Sequence, residues 1–317
     1  MVKPCCAPAA KTVSSTTPTL GSSAPRREVL GELVELSGGK FRMGTPEGEG
    51  YPEDGEGPVR TVQLSGYSIS RYTVTNRDFA LFIKETGYRT TAEAEGWSHV
   101  FHMLLTPAQR RNQTNVPADT PWWYPTPDAC WHTPEGEGSD LAERQDHPVV
   151  HISWFDALAY CRWAGCTLPT EAQWEYAARA GSNHRYPWGS RLTPNDQHMC
   201  NIWQGRFPGS NTAADGYVST APVTTFAANK FGLHNMIGNV WEWCADGFSP
   251  TYHGATADSD PFFASDTGLR ATRGGSFLCH ESYCNRYRAG ARTGNAPDTT
   301  CSNLGFRVSL NGLKIHK

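Results

Sequence analysis

Glycine or proline interrupts almost every segment of this chain. The 317 residues hold 31 Gly and 22 Pro, spread evenly along the length. Each one breaks a regular element or sets a turn. The chain is therefore expected to fold from many short elements and long ordered loops, not as a regular doubly wound sheet. Eleven Trp, thirteen Phe and twelve Tyr supply bulk for a core. The pattern reads as one α+β domain over residues 28–317, poor in regular secondary structure. Residues 1–27 are rich in Ala, Ser, Thr and Pro and read as a disordered tail. That tail has no apolar stretch of the kind a secretory signal needs. No apolar run approaches the ~18 residues of a membrane span. A net charge of −3 gives no electrostatic case for nucleic acid or an anionic membrane surface. A cytoplasmic protein with reduced thiols is expected, although ten cysteines is an even number.

Three helices can be placed by their caps. One follows Thr75, with Phe79, Phe82 and Ile83 as its apolar stripe and Gly87 as its stop. A second starts at Ser153 with Asp156 three residues on, turns Ala157, Tyr160, Cys161 and Ala164 inward, and ends at Gly165. A third has Thr170 and Gln173 as a capping box, then Trp174, Ala177 and Ala178, and ends at Gly181. Alternation marks strands at Thr61–Leu64 and Gly305–Leu310.

The segment Gly274 to Arg288 carries the strongest chemical signal. Cys279 and Cys284 are five residues apart, behind a Gly-Gly turn. On a helix that offset points the side chains roughly 140° apart. On a strand it puts them on opposite faces. If the sulfurs cooperate, the backbone between them must bend. Three readings of the pair stay open on spacing: a small disulfide, unrelated buried thiols, or a redox or metal site. Zinc fits poorly, since no second ligand pair stands near.

The flanking residues resemble the formylglycine-generating enzymes, the sulfatase-modifying factor family, in its bacterial form. Matching blocks include Gly274-Gly275-Ser276, Cys279-His280, Ser282-Tyr283-Cys284, Arg286-Tyr287-Arg288 and Asn303-Leu304-Gly305-Phe306-Arg307. Upstream lie His147-Pro148-Val149-Val150-His151, Leu168-Pro169-Thr170-Glu171-Ala172, Asn201-Ile202-Trp203-Gln204-Gly205 and Gly238-Asn239-Val240-Trp241-Glu242-Trp243. The resemblance spans roughly residues 31–310. It implies a fold related to C-type lectin domains. It also implies a copper(I) ion held by Cys279 and Cys284, with Ser276, Trp241, Tyr283, Asn285, Arg286 and Asn303 around it. Thiolates suit such a soft ion. The implied reaction converts the cysteine of a Cys-X-Pro-X-Arg motif in type I sulfatases to Cα-formylglycine, with dioxygen and a thiol reductant. The implied partner is an unfolded or nascent sulfatase polypeptide, met by a monomer.

The same resemblance assigns two calcium sites. Asn201, Asp215 and the carbonyls of Ile202 and Tyr217 form one. Asn235, Glu242 and the carbonyls of Gly238 and Val240 form the other. Oxygen donors of these types suit calcium, although on sequence alone both sets read equally as turn chemistry. Eukaryotic members also carry disulfides whose positions here fall on Cys161 with Val308 and on Ala178 with Ala289, so neither can form. The two acids that receive the substrate arginine in those members fall on Thr73 and Trp97; only Ser98 is kept. Another acid substitutes, or the guanidinium stacks on Trp97. Cys130, Cys161, Cys166, Cys200, Cys244 and Cys301 read as structural. Cys6-Ala7-Pro8 copies the first three positions of the target motif, with Ala10 in the arginine place. Two rivals stand beside this reading. An iron-dependent sulfoxide synthase would need a His-rich site on a further helical domain, and a non-catalytic lectin-like module would not need the cysteine pair.

Overall fold

Capping boxes start four helices: α1 (Asn76–Thr86), α2 (Thr91–Glu95), α4 (Trp154–Ala164) and α5 (Glu171–Arg179). In each, the cap hydroxyl accepts the backbone N–H three residues on, and that residue's side chain accepts the cap N–H in return. Such a cap stabilises by about 1 kcal/mol. Short helices α3 (Pro107–Arg111) and α6 (Tyr252–Ala255) complete the α-helices among the described residues, beside 3-10 turns at Pro52–Asp54, His102–Leu104 and Pro194–Asp196. The computed structural model describes residues 26, 30–111, 115–264 and 268–311. Most of the expected tail, including Cys5 and Cys6, lies outside them.

The three helices read from the sequence are α1, α4 and α5. The last stops one residue early, at a left-handed Ala180 with φ of 45°. Asn229 donates to the carbonyls of Ala177 and Ala178 and ties off the final turn before Gly181 is reached.

Among the described residues the strands are short and divided among five small sheets. β1 (Leu33–Leu36), β4 (Tyr67–Ser70) and β13 (Ser309–Asn311) form one, in the order β1-β4-β13. The largest runs β11-β10-β9-β12, built from β9 (Trp241–Gly247), β10 (Arg270–Arg273), β11 (Arg292–Asn295) and β12 (Leu304–Gly305). Its β9–β12 pair is parallel and the others antiparallel. Three antiparallel pairs complete the set: β2 (Gly39–Met43) with β3 (Arg60–Leu64), β5 (Trp97–Phe101) with β6 (Trp123–Pro127), and β7 (Gly205–Arg206) with β8 (Ser210–Asn211).

The single strand expected over Gly305–Leu310 is two strands in two sheets. Phe306, Arg307 and Val308 between them are all buried, so the apparent alternation did not mark an exposed face. Arg307 is inward because Glu242 receives it, at 2.6 and 2.8 Å.

Buried ion pairs hold these short elements together. Glu171, at the start of α5, accepts from Arg273 at 2.7 Å and from Arg292 at 2.5 Å, all three fully buried. Burial pushes the Glu171 carboxyl up, but Arg292 and Arg273 outweigh it and hold it at about 2. Glu175, one turn on, takes Arg273, Arg179 and the N–H of Gly44. Removing one partner of such a pair costs about 3–5 kcal/mol, because a charge is left buried alone. Arg273 is the residue before the Gly-Gly turn, so this network fixes where that turn begins.

Candidate active site

Gly274 and Gly275 turn the chain at φ of 98° and 73°. A Cβ on Gly275 would sit 3.0 Å from the carbonyl oxygen of Arg286. The glycine is what lets the returning chain lie against the turn. Between the two passes, Cys279 N–H donates to Ser276 O at 3.0 Å, and Cys284 N–H donates to His280 O at 2.7 Å. These two turns are the bend that the five-residue spacing demanded. They bring the sulfurs of Cys279 and Cys284 to 3.3 Å, as free thiols, both buried.

A polar chain backs the thiols. Ser276 N–H points at the Cys279 sulfur, 3.4 Å away. The Ser276 hydroxyl accepts from Asn303 Nδ2 at 2.8 Å and from Leu278 N–H at 3.3 Å. Asn303 Oδ1 accepts from the Cys301 thiol at 3.0 Å, and Asn303 O accepts from Trp241 N–H at 2.9 Å. Burial pushes the Cys301 thiol up to about 12, so it stays a neutral donor. Ser276 thus touches Cys279 directly, Asn303 reaches it through Ser276, and the Trp241 backbone is tied to Asn303.

Tyr283 forms part of an aromatic wall. Its ring stacks on Phe207 with centroids 4.9 Å apart and meets the edge of Trp122 at 4.8 Å. Trp203 continues the wall at 5.2 Å from Phe207 and donates its backbone N–H to Cys279 O.

The cations of the segment have structural partners. Arg286 Nε donates to Asp54 at 2.5 Å, with its guanidinium 4.3 Å over the Tyr51 ring. Arg288 makes a two-pronged pair with Glu56 at 2.6 and 2.7 Å. Asn285 Oδ1 accepts from Arg288, and its N–H donates to the Tyr51 hydroxyl. Arg286, Asn285 and Arg288 therefore fasten the returning chain to the 51–56 loop.

The oxygen-bearing residues also converge. Asp215 accepts from the N–H groups of Ile202 and Tyr217, at 3.1 and 3.2 Å, and so gathers the first set. Asn201 is fully buried, and its Oδ1 has no hydrogen-bond partner. In the second set, the buried Oδ1 of Asn235 likewise has none. Glu242 Oε2 accepts from Trp174 Nε1 and Arg307 Nε, and Oε1 accepts from Arg307 Nη2. Each carboxylate oxygen can accept twice, which leaves Oε1 one open position. The sets adjoin: a Cβ on Gly238 would lie 2.4 Å from Asn201 O, which accepts from Asn239 N–H.

Residues 19–311 match the sulfatase-modifying factor enzyme 1-like domain. The chain belongs to the sulfatase-modifying factor family. It is 52% identical over 303 residues to the formylglycine-generating enzyme of Thermomonospora curvata, covering 93% of this chain and all of that one. It is 43% identical over 281 residues to the mouse inactive C-alpha-formylglycine-generating enzyme 2, covering 87% and 85% of the two chains. Among solved structures it resembles PvdO from Pseudomonas aeruginosa, with a TM-score of 0.66, 25% identity, and 90% and 96% coverage. The α+β fold expected from the sequence is thus the family's fold.

Thr73 and Trp97, where the sequence resemblance put the arginine acceptors of eukaryotic members, carry no carboxylate. Thr73 is buried with an unpartnered hydroxyl. Trp97 is half-buried at the start of β5, edge-on to His99 at 4.9 Å. Ser98 is fully buried, donates to Thr300 Oγ1 at 2.8 Å and lies 2.7 Å from His151 Nδ1. Two acids stand close in the chain to this pair. Glu95 precedes Trp97 by two residues and Asp298 precedes Thr300 by two. Glu95 Oε1 and Asp298 Oδ1 are buried without hydrogen-bond partners. Burial, then the charge of Asp298, raises the Glu95 carboxyl. Sequence reading missed both acids, as it missed Trp122 and Phe207. Their one signal is an acid flanking a kept Ser or Thr, which is too common to single out.

Among the described residues, no three His, Cys, Asp or Glu side chains gather as a metal-binding group, and no helix is long and apolar enough to cross a membrane.

Proposed function

We propose that this chain oxidises the cysteine of a Cys-X-Pro-X-Arg segment in type I sulfatases to Cα-formylglycine, using dioxygen and a thiol reductant. The observation that carries this reading is the buried pair of free sulfurs at 3.3 Å. Family membership alone does not decide it, since a relative at 43% identity is named inactive.

Two thiols without a third His, Cys, Asp or Glu donor suit a soft monovalent ion and not the four-ligand site of structural zinc. Cys279 and Cys284 would hold Cu(I). Bound there, the ion supplies one-electron chemistry with dioxygen. The chain's own residues do the rest. Ser276 N–H donates to the Cys279 sulfur and fixes its place. Asn303 fixes the Ser276 hydroxyl, and the Trp241 N–H of β9 in turn holds the Asn303 carbonyl. Tyr283, Phe207 and Trp122 exclude water from the sulfurs. Asn285 and Arg286 position the Cys284 arm through Tyr51 and Asp54.

Glu95 and Asp298 receive the substrate arginine. A guanidinium would supply charge-assisted bonds to Glu95 Oε1 and Asp298 Oδ1, the buried oxygens without hydrogen-bond partners. Two calcium ions would take the buried Oδ1 atoms of Asn201 and Asn235, with Asp215, Glu242 and the carbonyls of Ile202, Tyr217, Gly238 and Val240. Binding to the folded state alone would stabilise this loop-rich fold.

The test is incubation of a Cys-X-Pro-X-Arg peptide with the protein, Cu(I), thiol and air, read by peptide mass and by an aldehyde-reactive probe. Conversion of the cysteine to the aldehyde is expected. A copper-loaded, folded protein that leaves the peptide unchanged overturns the reading.

A further inference from the structure

A second pair of cysteines meets at the C-terminal end of α4. Gly165 follows the helix in the left-handed region, with φ of 69°. Its N–H turns back to Arg162 O, and the N–H of Cys166 turns back to Cys161 O at 2.9 Å. This is the Schellman arrangement, in which the second residue past the helix bonds the carbonyl five positions earlier and packs its side chain on that residue. Here both residues joined by that backbone bond are cysteines. The five-residue spacing of Cys279 and Cys284 thus recurs, closed by a helix end instead of a pair of turns.

The two thiols differ in access. Cys161 is 2% exposed, and burial pushes its thiol up. Cys166 is half-buried. The connection that follows ties two sheets: Thr167 bonds Ser309 of β13 in both directions, and Pro169 O accepts from Ala245 of β9. A covalent link between Cys161 and Cys166 would fasten the end of α4 to that connection.

We propose that Cys161 and Cys166 form a second dithiol site, which takes a small-molecule disulfide and closes to an intramolecular bond. The order follows from access. The Cys166 thiol loses its proton to solvent, and its sulfur attacks the small disulfide. A mixed disulfide forms and one small thiolate leaves. Cys161 then loses its proton and attacks the Cys166 sulfur, forming the Cys161–Cys166 bond and releasing the second small thiolate. Two protein thiols are oxidised and one small disulfide is reduced to two thiols. The backbone hydrogen bond between these residues already holds the two ends within the short span a disulfide needs.

Arg162 makes the test clean. Trypsin cuts after it, which places Cys161 alone in the peptide 145–162 and Cys166 alone in 163–179. The full-length protein is incubated with glutathione disulfide, blocked with an alkylating reagent and digested without reductant. The expected result is one species joining the two peptides, split by reductant. In C161S, the 163–179 peptide should carry a stable glutathione adduct. In C166S, the 145–162 peptide should remain unmodified in the folded protein. Two separate, unlinked peptides from the wild-type protein overturn the proposal, whatever the fate of the variants. So does linkage of either peptide to another cysteine in place of this partner.

Discussion

Asn303 donates a 2.8 Å hydrogen bond to the Ser276 hydroxyl, across 27 residues of chain. Its other amide atom accepts the Cys301 thiol. One buried amide therefore joins the end of β12's approach to the turn that carries Cys279. Asn303→Ala strands the Cys301 donor and removes the bond that fixes Ser276. A loss of about 1–3 kcal/mol is expected, measured by denaturant unfolding. Turnover of the target peptide should fall further than stability explains, with kcat reduced and KM little changed. A variant with wild-type kcat would leave Asn303 a purely structural residue.

Glu95→Gln should weaken recognition of the target arginine. A charge-assisted bond contributes about 1.5–3 kcal/mol, so KM for the arginine peptide should rise at least about tenfold. A peptide with alanine in that place should feel the substitution little, and the double-mutant cycle isolates the pair. Equal effects on both peptides would remove Glu95 from the arginine site.

Much of this was legible where the interaction is local. α1, α4 and α5 announce themselves because each cap closes within three residues, as at Ser153 and Asp156. The thiol bend was legible from spacing, since neither regular element can bring Cys279 to Cys284. The large sheet was harder to see. Nothing local marks Arg273, Arg292 and Arg307 as buried, because their partners Glu171 and Glu242 are 65 to 121 residues away and turn them inward. Arg286 was expected beside the metal pair; Asp54 receives its guanidinium, as Glu56 receives that of Arg288, and neither acid is near in sequence. The aromatic wall was invisible for the same reason: Trp122, Phe207 and Tyr283 meet only through the fold.

His151 gives a pH signature with a definite sign. It is fully buried, and burial lowers its imidazole to about 3 from an ordinary 6.5. The unfolded chain therefore takes up a proton below about pH 6.5 that the folded chain refuses until about pH 3. His151 thus contributes stability that is fully present above pH 6.5 and lost as pH falls. The loss is about 1.4 kcal/mol per pH unit across that window. His151→Gln removes the effect, so the stability difference between wild type and variant should shift by that slope from pH 6.5 to 4. A difference independent of pH would mean the ring protonates inside the fold.

Chelating calcium should lower the melting midpoint. Asn201 and Asn235 each bury an amide oxygen without a partner, a cost of about 1–3 kcal/mol each that an ion would relieve. At a free ion concentration 100 times Kd, one site adds about 2.7 kcal/mol. Asn201→Ala should blunt the response to added calcium. Depleted protein whose midpoint ignores both chelator and calcium would show that the loops are held by their hydrogen bonds alone.

Cys279→Ser and Cys284→Ser should each abolish turnover and leave the fold intact, since a serine keeps the shape of the turn and loses only the soft ligand. The reduced protein should bind one Cu(I), and binding should require both sulfurs. Zinc should compete poorly, because the pair offers two ligands where structural zinc takes four. Affinity should weaken as pH falls, since ligation needs thiolate. Arg286 Nε is engaged by Asp54, and the backbone donor at the pair is Ser276 N–H, 3.4 Å from the Cys279 sulfur. Ser276→Pro would delete that donor, yet it would also strain the turn. The cleaner measurement is therefore competition against a Cu(I) chelator for wild type and both serine variants, with turnover followed in parallel. Cu(I) binding that survives the loss of both sulfurs, or turnover in protein stripped of copper, would take the metal away from this pair.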